Sequence, residues 1–464
     1  MTKFSFFFPD NKDFVDPKFD GRDSSRTKHP RVYDDDVYPH QILNKLPYNG
    51  MLVSLAGVGT MQKRGKYYET ELTEDFYFKG AREFLRLNTS PQLKSVMLMG
   101  DCGAFDYANE YEPPFTIDEL IEFYERGKFD YGISLDHIVF AFTNDENVLD
   151  EDTVKEAKRR IAITLKNAEE FLEKSKGRSF KPYGVAHGYD IDSFVASVKA
   201  LEDMGYRRIT IGGMVKSKTD DLLKLLDALG KTKHPDTVFH LLGICRFENI
   251  PAYVKAGVTS ADSTSPLMQG LKGGKYYWIN EESKKVEEYV SIRLRQCDHD
   301  NVQKHIEKNR DSLQALIIQM QRNDEFDIDL SNSSLSVNEC LKRLETDCIS
   351  KLIEFDKTGY DIDGTFKAIM AYEKVTNDAY LNESKHAQLA KESEKYRKFL
   401  NMRLWKECRC GICEKGLMNI IFRSNQTNRR RGIHNLAIVT QHKDIVLNTL
   451  SSQNLQQPVI EELF

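Results

Sequence analysis

The segment Cys408-Arg409-Cys410-Gly411-Ile412-Cys413 is followed, after twenty intervening residues, by His434. Three thiols and one imidazole make the donor set of a tetrahedral structural zinc ion. Four protein ligands leave no coordination position open, so such an ion holds a fold together and leaves the chemistry to other residues. A disulfide reading is poor, because bridging such near neighbours is strained. The competing reading is a chance cluster of core cysteines around a surface histidine. A second set of residues could do chemistry. Asp101 sits on a glycine-flanked turn, Gly100-Asp101-Cys102-Gly103-Ala104-Phe105, after the apolar run Val96–Met99. Asp136 ends Gly132-Ile133-Ser134-Leu135-Asp136, and Asp262 ends Gly257-Val258-Thr259-Ser260-Ala261-Asp262. Gly212-Gly213 follows Ile209-Thr210-Ile211, where missing side chains would let a ligand approach backbone amides. Each has a plain structural reading, as a helix cap or a turn. Three carboxylates and a Gly-Gly at successive strand ends are better explained by one pocket.

Those positions require strands that end side by side. From about residue 50 to 265, short apolar runs alternate with amphipathic helical stretches. The runs are Met51–Ala56, Val96–Met99, Tyr131–Leu135, Tyr183–Ala186, Ile209–Ile211, Val238–Leu242 and Val258–Ala261. Thr116-Ile117-Asp118-Glu119 is a capping box opening a helix that stops near Gly127. Val154, Ala157, Ile161, Leu165, Ala168 and Leu172 step by three and four, a helical stripe ending at Gly177. Further helices span Phe194–Met204, closed by Gly205, and Leu222–Leu229, closed by Gly230. The alternation predicts an α/β fold, a (β/α)8 TIM barrel in preference to an open sheet. The start, Phe-Ser-Phe-Phe-Phe-Pro-Asp, reads as an edge strand stopped by Pro9. Past residue 275, Tyr276–Asn280 and Tyr289–Leu294 read as antiparallel strands, and residues 301–402 as charged helices. Residues 1–290 are expected to form the barrel, and 291–464 a helical insert with a C-terminal zinc-binding, nucleic-acid-contacting domain. Cys245, Cys297, Cys340 and Cys348 have no ligand spacing and read as packing or surface residues.

The chain has 464 residues, 40% apolar and 30% charged, with a net charge of −5. No apolar run reaches the length of a membrane span. Eight cysteines without an export signal predict reduced thiols and a cytoplasmic location. With so little net charge, a nucleic-acid partner would have to meet a local patch. Between Arg403 and Arg431 stand eight basic residues against two acidic ones, a net of +6 that overlaps the cysteine segment. Arg429, Arg430 and Arg431 are expected to contact phosphate, with a solvated face as the alternative.

The order Asp101-Cys102-Gly103-Ala104-Phe105, Asp136, Gly212-Gly213, Gly257–Asp262 and Cys408-x-Cys410-x-x-Cys413…His434 resembles that of the tRNA-guanine transglycosylases. The resemblance covers about residues 50–290 and 400–450 and implies a zinc-containing TIM barrel that exchanges guanine for a 7-deazaguanine. Glu112-Pro113-Pro114-Phe115-Thr116 and Phe129–His137 point within that superfamily to the DpdA-type DNA 7-deazaguanine transglycosylases. Departures from the tRNA enzymes are Cys102 and Ala104 in the first motif and His187 where a pocket Gln is usual. Ser263-Thr264-Ser265-Pro266-Leu267 stands where Pro-Thr-Arg is usual.

The resemblance implies roles residue by residue. Asp262 would be the nucleophile and Asp101 the general acid/base. Asp136 would accept hydrogen bonds from the Watson–Crick edge of guanine or of a preQ0-like base. Gly212 and Gly213 would offer amides to the base oxygen, Phe105 and Leu242 would flank the base, and Cys102 and His187 would complete its pocket. The implied partners are DNA, with tRNA as the alternative, and other DNA-modification proteins. A non-catalytic nucleic-acid-binding homologue would need neither Asp101 nor Asp262. A zinc hydrolase would need metal ligands at the barrel strand ends.

Overall fold

The computed structural model describes residues 4–21, 35–144, 149–331 and 335–452. Eight parallel strands close on themselves in chain order. They are β1 (Ser5–Pro9), β2 (Gly50–Ser54), β3 (Met97–Asp101) and β4 (Tyr131–Ile133). β5 (Lys181–Ala186), β6 (Arg208–Ile211), β7 (Val238–Leu241) and β8 (Val258–Asp262) complete the ring. The expected (β/α)8 barrel is therefore present.

The edge-strand expectation for the N-terminus is corrected. β1 pairs with β2 through Phe7 and Gly50, and with β8 through Phe6 and Ala261, so it closes the barrel. Phe6, Phe7 and Phe8 are all buried, as a strand covered on both faces requires. Pro9 is the last residue of the strand, where its missing N–H is tolerated. The barrel is packed, not hollow: Phe7, Leu52, Met99, Tyr131, Ile133, Tyr183 and Val185 form one buried cluster.

The crossover helices follow the punctuation in the sequence. Ile117–Gly127 opens on the Thr116/Glu119 capping box. Glu151–Lys174 buries Ala157, Ala168 and Phe171. Ile191–Met204 ends on left-handed Gly205. Thr219–Thr232 runs past Gly230, the expected stop, for two more residues.

Two compact units divide the described residues. One draws on Met1–Asp13, Tyr48–Ser265 and Thr440–Phe464, and contains the barrel. The other draws on Phe14–Pro47 and Pro266–Val439, so the expected boundary at residue 290 lies inside it. The second unit carries the antiparallel pair β9 (Lys275–Ile279) and β10 (Val286–Val290). Helices Asp300–Arg322, Val337–Thr358, Ile362–Thr376 and His386–Met402 follow. Cys340 and Cys348 are buried in the second of these. No helix among the described residues is long and apolar enough to cross a membrane.

Candidate active site

Asp101 and Asp262 are the last residues of β3 and β8, so both stand at the C-terminal rim of the barrel. Asp101 is 7% exposed. Its Oδ2 accepts from the Gly103 N–H at 3.0 Å, whereas its buried Oδ1 has no partner among the described residues. Gly103 is left-handed (φ +83°), and a Cβ there would meet Ala56 Cβ at 2.7 Å, so the turn that presents this amide needs glycine. Burial, reinforced by the charges of Asp136 and Asp262, pushes the Asp101 carboxyl up to about 8. At neutral pH it is a carboxylic acid with a proton to give.

Asp262 is held differently. Its Oδ1 accepts from the Gly243 N–H at 2.8 Å and lies 3.1 Å from His240 Nε2. His240, in β7, is wholly buried, and its Nδ1 lies 2.8 Å from Ser260 Oγ. His240, Ser260 and Gly243 were missed in the sequence. The available signal was a histidine inside the apolar strand Val238-Phe239-His240-Leu241, opposite Ser260 in the β7–β8 register.

Asp136 follows β4 and is fully buried. Cys102 Sγ donates to its Oδ1 at 2.9 Å, and His187 Nε2 lies 2.7 Å from its Oδ2. Burial and the neighbouring carboxylates push the Cys102 thiol well up, so it stays a donor. The Tyr107 hydroxyl, also unforeseen, lies 3.0 Å from both Cys102 Sγ and the Asp136 carbonyl. Cys102 and His187 thus orient Asp136. His187 Nδ1 is buried without a partner among the described residues.

The amide role expected of Gly212 is corrected: its N–H donates to Ala186 O at 3.1 Å, continuing the β5–β6 ladder. What the glycine pair provides is room. A Cβ on Gly212 would meet His187 Cε1 at 2.4 Å, and one on Gly213 the Val139 carbonyl at 2.2 Å. Phe105 is 63% exposed and meets Phe140 edge-on at 5.7 Å. Leu242 packs on the barrel cluster. A further carboxylate lies just past β1. Asp10 is buried and accepts from the Tyr68 hydroxyl, and burial raises it to about 6.

In the second unit, Cys408, Cys410, Cys413 and His434 form a cluster whose ligand atoms all lie within 4.8 Å of one another. His434 Nδ1 is 3.4–3.6 Å from the three Sγ atoms. Its Nε2 is 2.9 Å from the Tyr277 carbonyl, which can only accept. Nε2 therefore carries the proton, and the Nδ1 lone pair faces the thiols, as a metal ligand requires. The cluster could hold a metal.

The phosphate role of the arginine triplet is corrected. Arg430 and Arg431 are fully buried. Arg430 donates to Asn419 Oδ1 at 2.8 Å and to the Asp16 carbonyl. Arg431 donates to the carbonyls of Ile420 at 2.9 Å and Gly270 at 2.6 Å. Arg429 is half-buried and donates to the Phe14 carbonyl at 3.0 Å. Planar guanidinium forks suit this task, because several carbonyls outside any ladder can be satisfied at once. Burial lowers Arg430 to about 10 and Arg431 to about 9. Elsewhere in the basic run, Lys406 pairs with Asp356 at 2.8 Å and Arg423 with Glu345 at 2.7 Å. The local excess of charge is largely spent inside the unit.

The closed parallel barrel carries Asp101 at the end of β3 and the hydrogen-bonded Asp262 at the end of β8, on the rim where (β/α)8 enzymes place their chemistry. The family described as queuine tRNA-ribosyltransferase matches residues 132–312. The chain is 36% identical over 456 residues to the DNA-guanine transglycosylase of Salmonella montevideo, covering 97% of this chain and 99% of that one. It is 28% identical over 123 residues to the queuine tRNA-ribosyltransferase of Marinobacter nauticus, 26% of this chain and 33% of that one. For the queuine tRNA-ribosyltransferase of Chlamydia felis the identity is 24% over 214 residues, 46% and 49% of the two chains. The chain belongs to the DNA-guanine transglycosylase family, within the tRNA-guanine transglycosylase superfamily, and is a pentosyltransferase.

Proposed function

We propose that this enzyme exchanges guanine in DNA for a 7-deazaguanine base such as preQ0, through a covalent intermediate on Asp262. The observation that carries the reading is the contrast between two rim carboxyls. Asp101 is raised to about 8 with a buried oxygen that has no partner among the described residues, whereas Asp262 has one oxygen fixed by an N–H and an imidazole. Environments that set two carboxyls apart divide acid from nucleophile. In the first displacement an Asp262 oxygen bonds to C1′ of the deoxynucleoside. The C1′–N9 bond breaks, and guanine departs with the proton of Asp101. In the second, N9 of the incoming base attacks C1′ from the vacated side, the ester bond breaks, and the N9 proton passes to Asp101. Two displacements retain configuration, as a polymer substrate requires.

Asp136, fixed by Cys102 and His187, would receive the donors of the Watson–Crick edge on its remaining lone pairs. His187 Nδ1 is a further polar atom for the base. Phe105, exposed at the rim, would stack on it. A target in duplex DNA must first be extruded, at roughly a few kcal/mol. Zinc on Cys408, Cys410, Cys413 and His434 would supply structural rigidity, since all four positions are taken. The free cysteines fit a reducing, cytoplasmic setting.

Mass spectrometry of nucleosides from DNA and tRNA of cells that express the chain and make preQ0 tests the substrate. A 7-deazaguanine deoxynucleoside in DNA is expected. The modified base in tRNA alone would contradict the reading and favour the tRNA activity.

A further inference from the structure

The Asp262 carboxylate is not presented symmetrically. Among the described residues, both hydrogen-bond contacts at this group fall on Oδ1: the Gly243 N–H at 2.8 Å and His240 Nε2 at 3.1 Å. A carboxylate can only accept, so Nε2 must carry a proton for its contact to be a hydrogen bond. The other ring nitrogen faces the Ser260 hydroxyl at 2.8 Å, a group able to donate to a neutral imidazole. Ser260 O–H to Nδ1 and Nε2–H to Oδ1 is the chain of donors that satisfies every atom with a neutral ring. That ring is also clamped. His240 has no exposed surface, Phe7 meets it edge-on at 5.8 Å, and Tyr183 does so at 6.3 Å. Such burial and hydrogen bonding at both nitrogens fix orientation and tautomer together.

We propose that His240, set in its Nε2–H tautomer by Ser260, is a positioning residue that commits Oδ1 of Asp262 to hydrogen bonding and makes Oδ2 the atom that attacks C1′. The inference rests on Asp262 being the nucleophile. An oxygen with two donors is less basic, so the pair of electrons that forms the new bond comes from Oδ2. As the Oδ2–C1′ bond forms, the C1′–N9 bond breaks and guanine takes its electron pair and the proton of Asp101. Oδ1 then becomes the carbonyl oxygen of the ester. In the second displacement the Oδ2–C1′ electrons return to the carboxylate. The developing charge is shared with Oδ1, where the Gly243 amide and the His240 N–H already point. Donors fixed before the reaction stabilise such charge without reorganisation, and removal of one costs about 10²–10³ in rate.

The test uses the full-length enzyme with labelled guanine and a guanine-containing DNA. His240→Leu fills the space without a donor, and is expected to lower kcat at least a hundredfold while leaving KM for the base and Kd for DNA within about threefold. His240→Gln restores an N–H donor on a side chain of comparable reach, and is expected to recover at least tenfold of that loss. Ser260→Ala frees the tautomer and should cost about tenfold in kcat. Equal kcat for wild type and His240→Leu would overturn the proposal, as would a loss in His240→Gln as deep as in His240→Leu. Should His240→Leu not fold, judged by its thermal transition, the decision passes to the other two. Near-wild-type kcat in Ser260→Ala, or a loss of a hundredfold or more in a folded His240→Gln, would then overturn it. Asp262→Asn separates the two levels: exchange surviving in that variant defeats the nucleophile assignment itself, whereas its loss beside an active His240→Leu defeats only the role of His240.

Discussion

At the scale of single residues, Asp101 is a carboxyl whose charged form is disfavoured by burial and by the charges of Asp136 and Asp262. A carboxyl that is raised to about 8 on folding binds more protons folded than unfolded between its ordinary 3.8 and that value. The stability it contributes is full below pH 4 and is lost as the pH rises through about 8. Asp101→Asn cannot ionise. It should match wild type near pH 4 and exceed it above pH 8 by on the order of a few kcal/mol, measured by denaturant unfolding at the two pH values. The same proton is needed for guanine to leave, so kcat/KM should fall as the pH passes about 8, and Asp101→Asn should not turn over. The carboxylates were legible because each stands at the end of an apolar run. His240 was not, because a lone histidine inside an apolar strand reads as core until its neighbour across the sheet, Ser260, is known. Cys102 and His187 are expected as pocket residues from the resemblance, but their aim at Asp136 depends on distances that no spacing encodes.

At the scale of elements, helix Asn425–Ser452 explains why three consecutive arginines misled. A basic triplet near a metal-ligand motif resembles a phosphate-binding face, yet Arg430 and Arg431 bond carbonyls of residues 16 and 270, far away in sequence, and of residue 420. Arg431→Ala would strand the buried Gly270 carbonyl, leave the Ile420 carbonyl with the Ser291 hydroxyl alone, and open a void. The expected loss is about 3 kcal/mol or more, read as a lower thermal midpoint. DNA affinity at low salt should be unchanged wherever the variant remains folded. His434 stands one turn beyond Arg430 on this helix, so the Cys408/Cys410/Cys413/His434 cluster and the arginine contacts brace the same element. Cys410→Ser is expected to lose the metal, about one equivalent per chain by elemental analysis, and to unfold the second unit at lower temperature. Well-folded wild-type protein without zinc would contradict that assignment. β1 shows the complementary lesson: three successive phenylalanines signalled a strand buried on both faces more truly than Pro9 signalled an edge.

At the scale of the whole molecule, the alternation of apolar runs and capped helices sufficed for the barrel, since seven of its strands coincide with the runs read in the sequence. The membership of the two units was beyond such reading. Phe14–Pro47 belongs with Pro266–Val439 through pairings such as the Asp16 N–H on Gln426 Oε1 at 3.0 Å, which carry no local signature. Similarity along 97% of the chain to a DNA-guanine transglycosylase, against partial similarity to the tRNA enzymes, makes DNA the expected polymer. The proposed reaction is guanine exchange in DNA by way of Asp262. It is tested most directly by incubating the protein with guanine-containing DNA, quenching in denaturant, digesting, and mapping the cross-linked peptide by mass spectrometry. A deoxyribosyl–DNA adduct on the peptide that contains Asp262, absent in Asp262→Ala and not formed with tRNA, is the expected result. Exchange of labelled guanine into DNA by Asp262→Ala, or an adduct on Asp101, would contradict it.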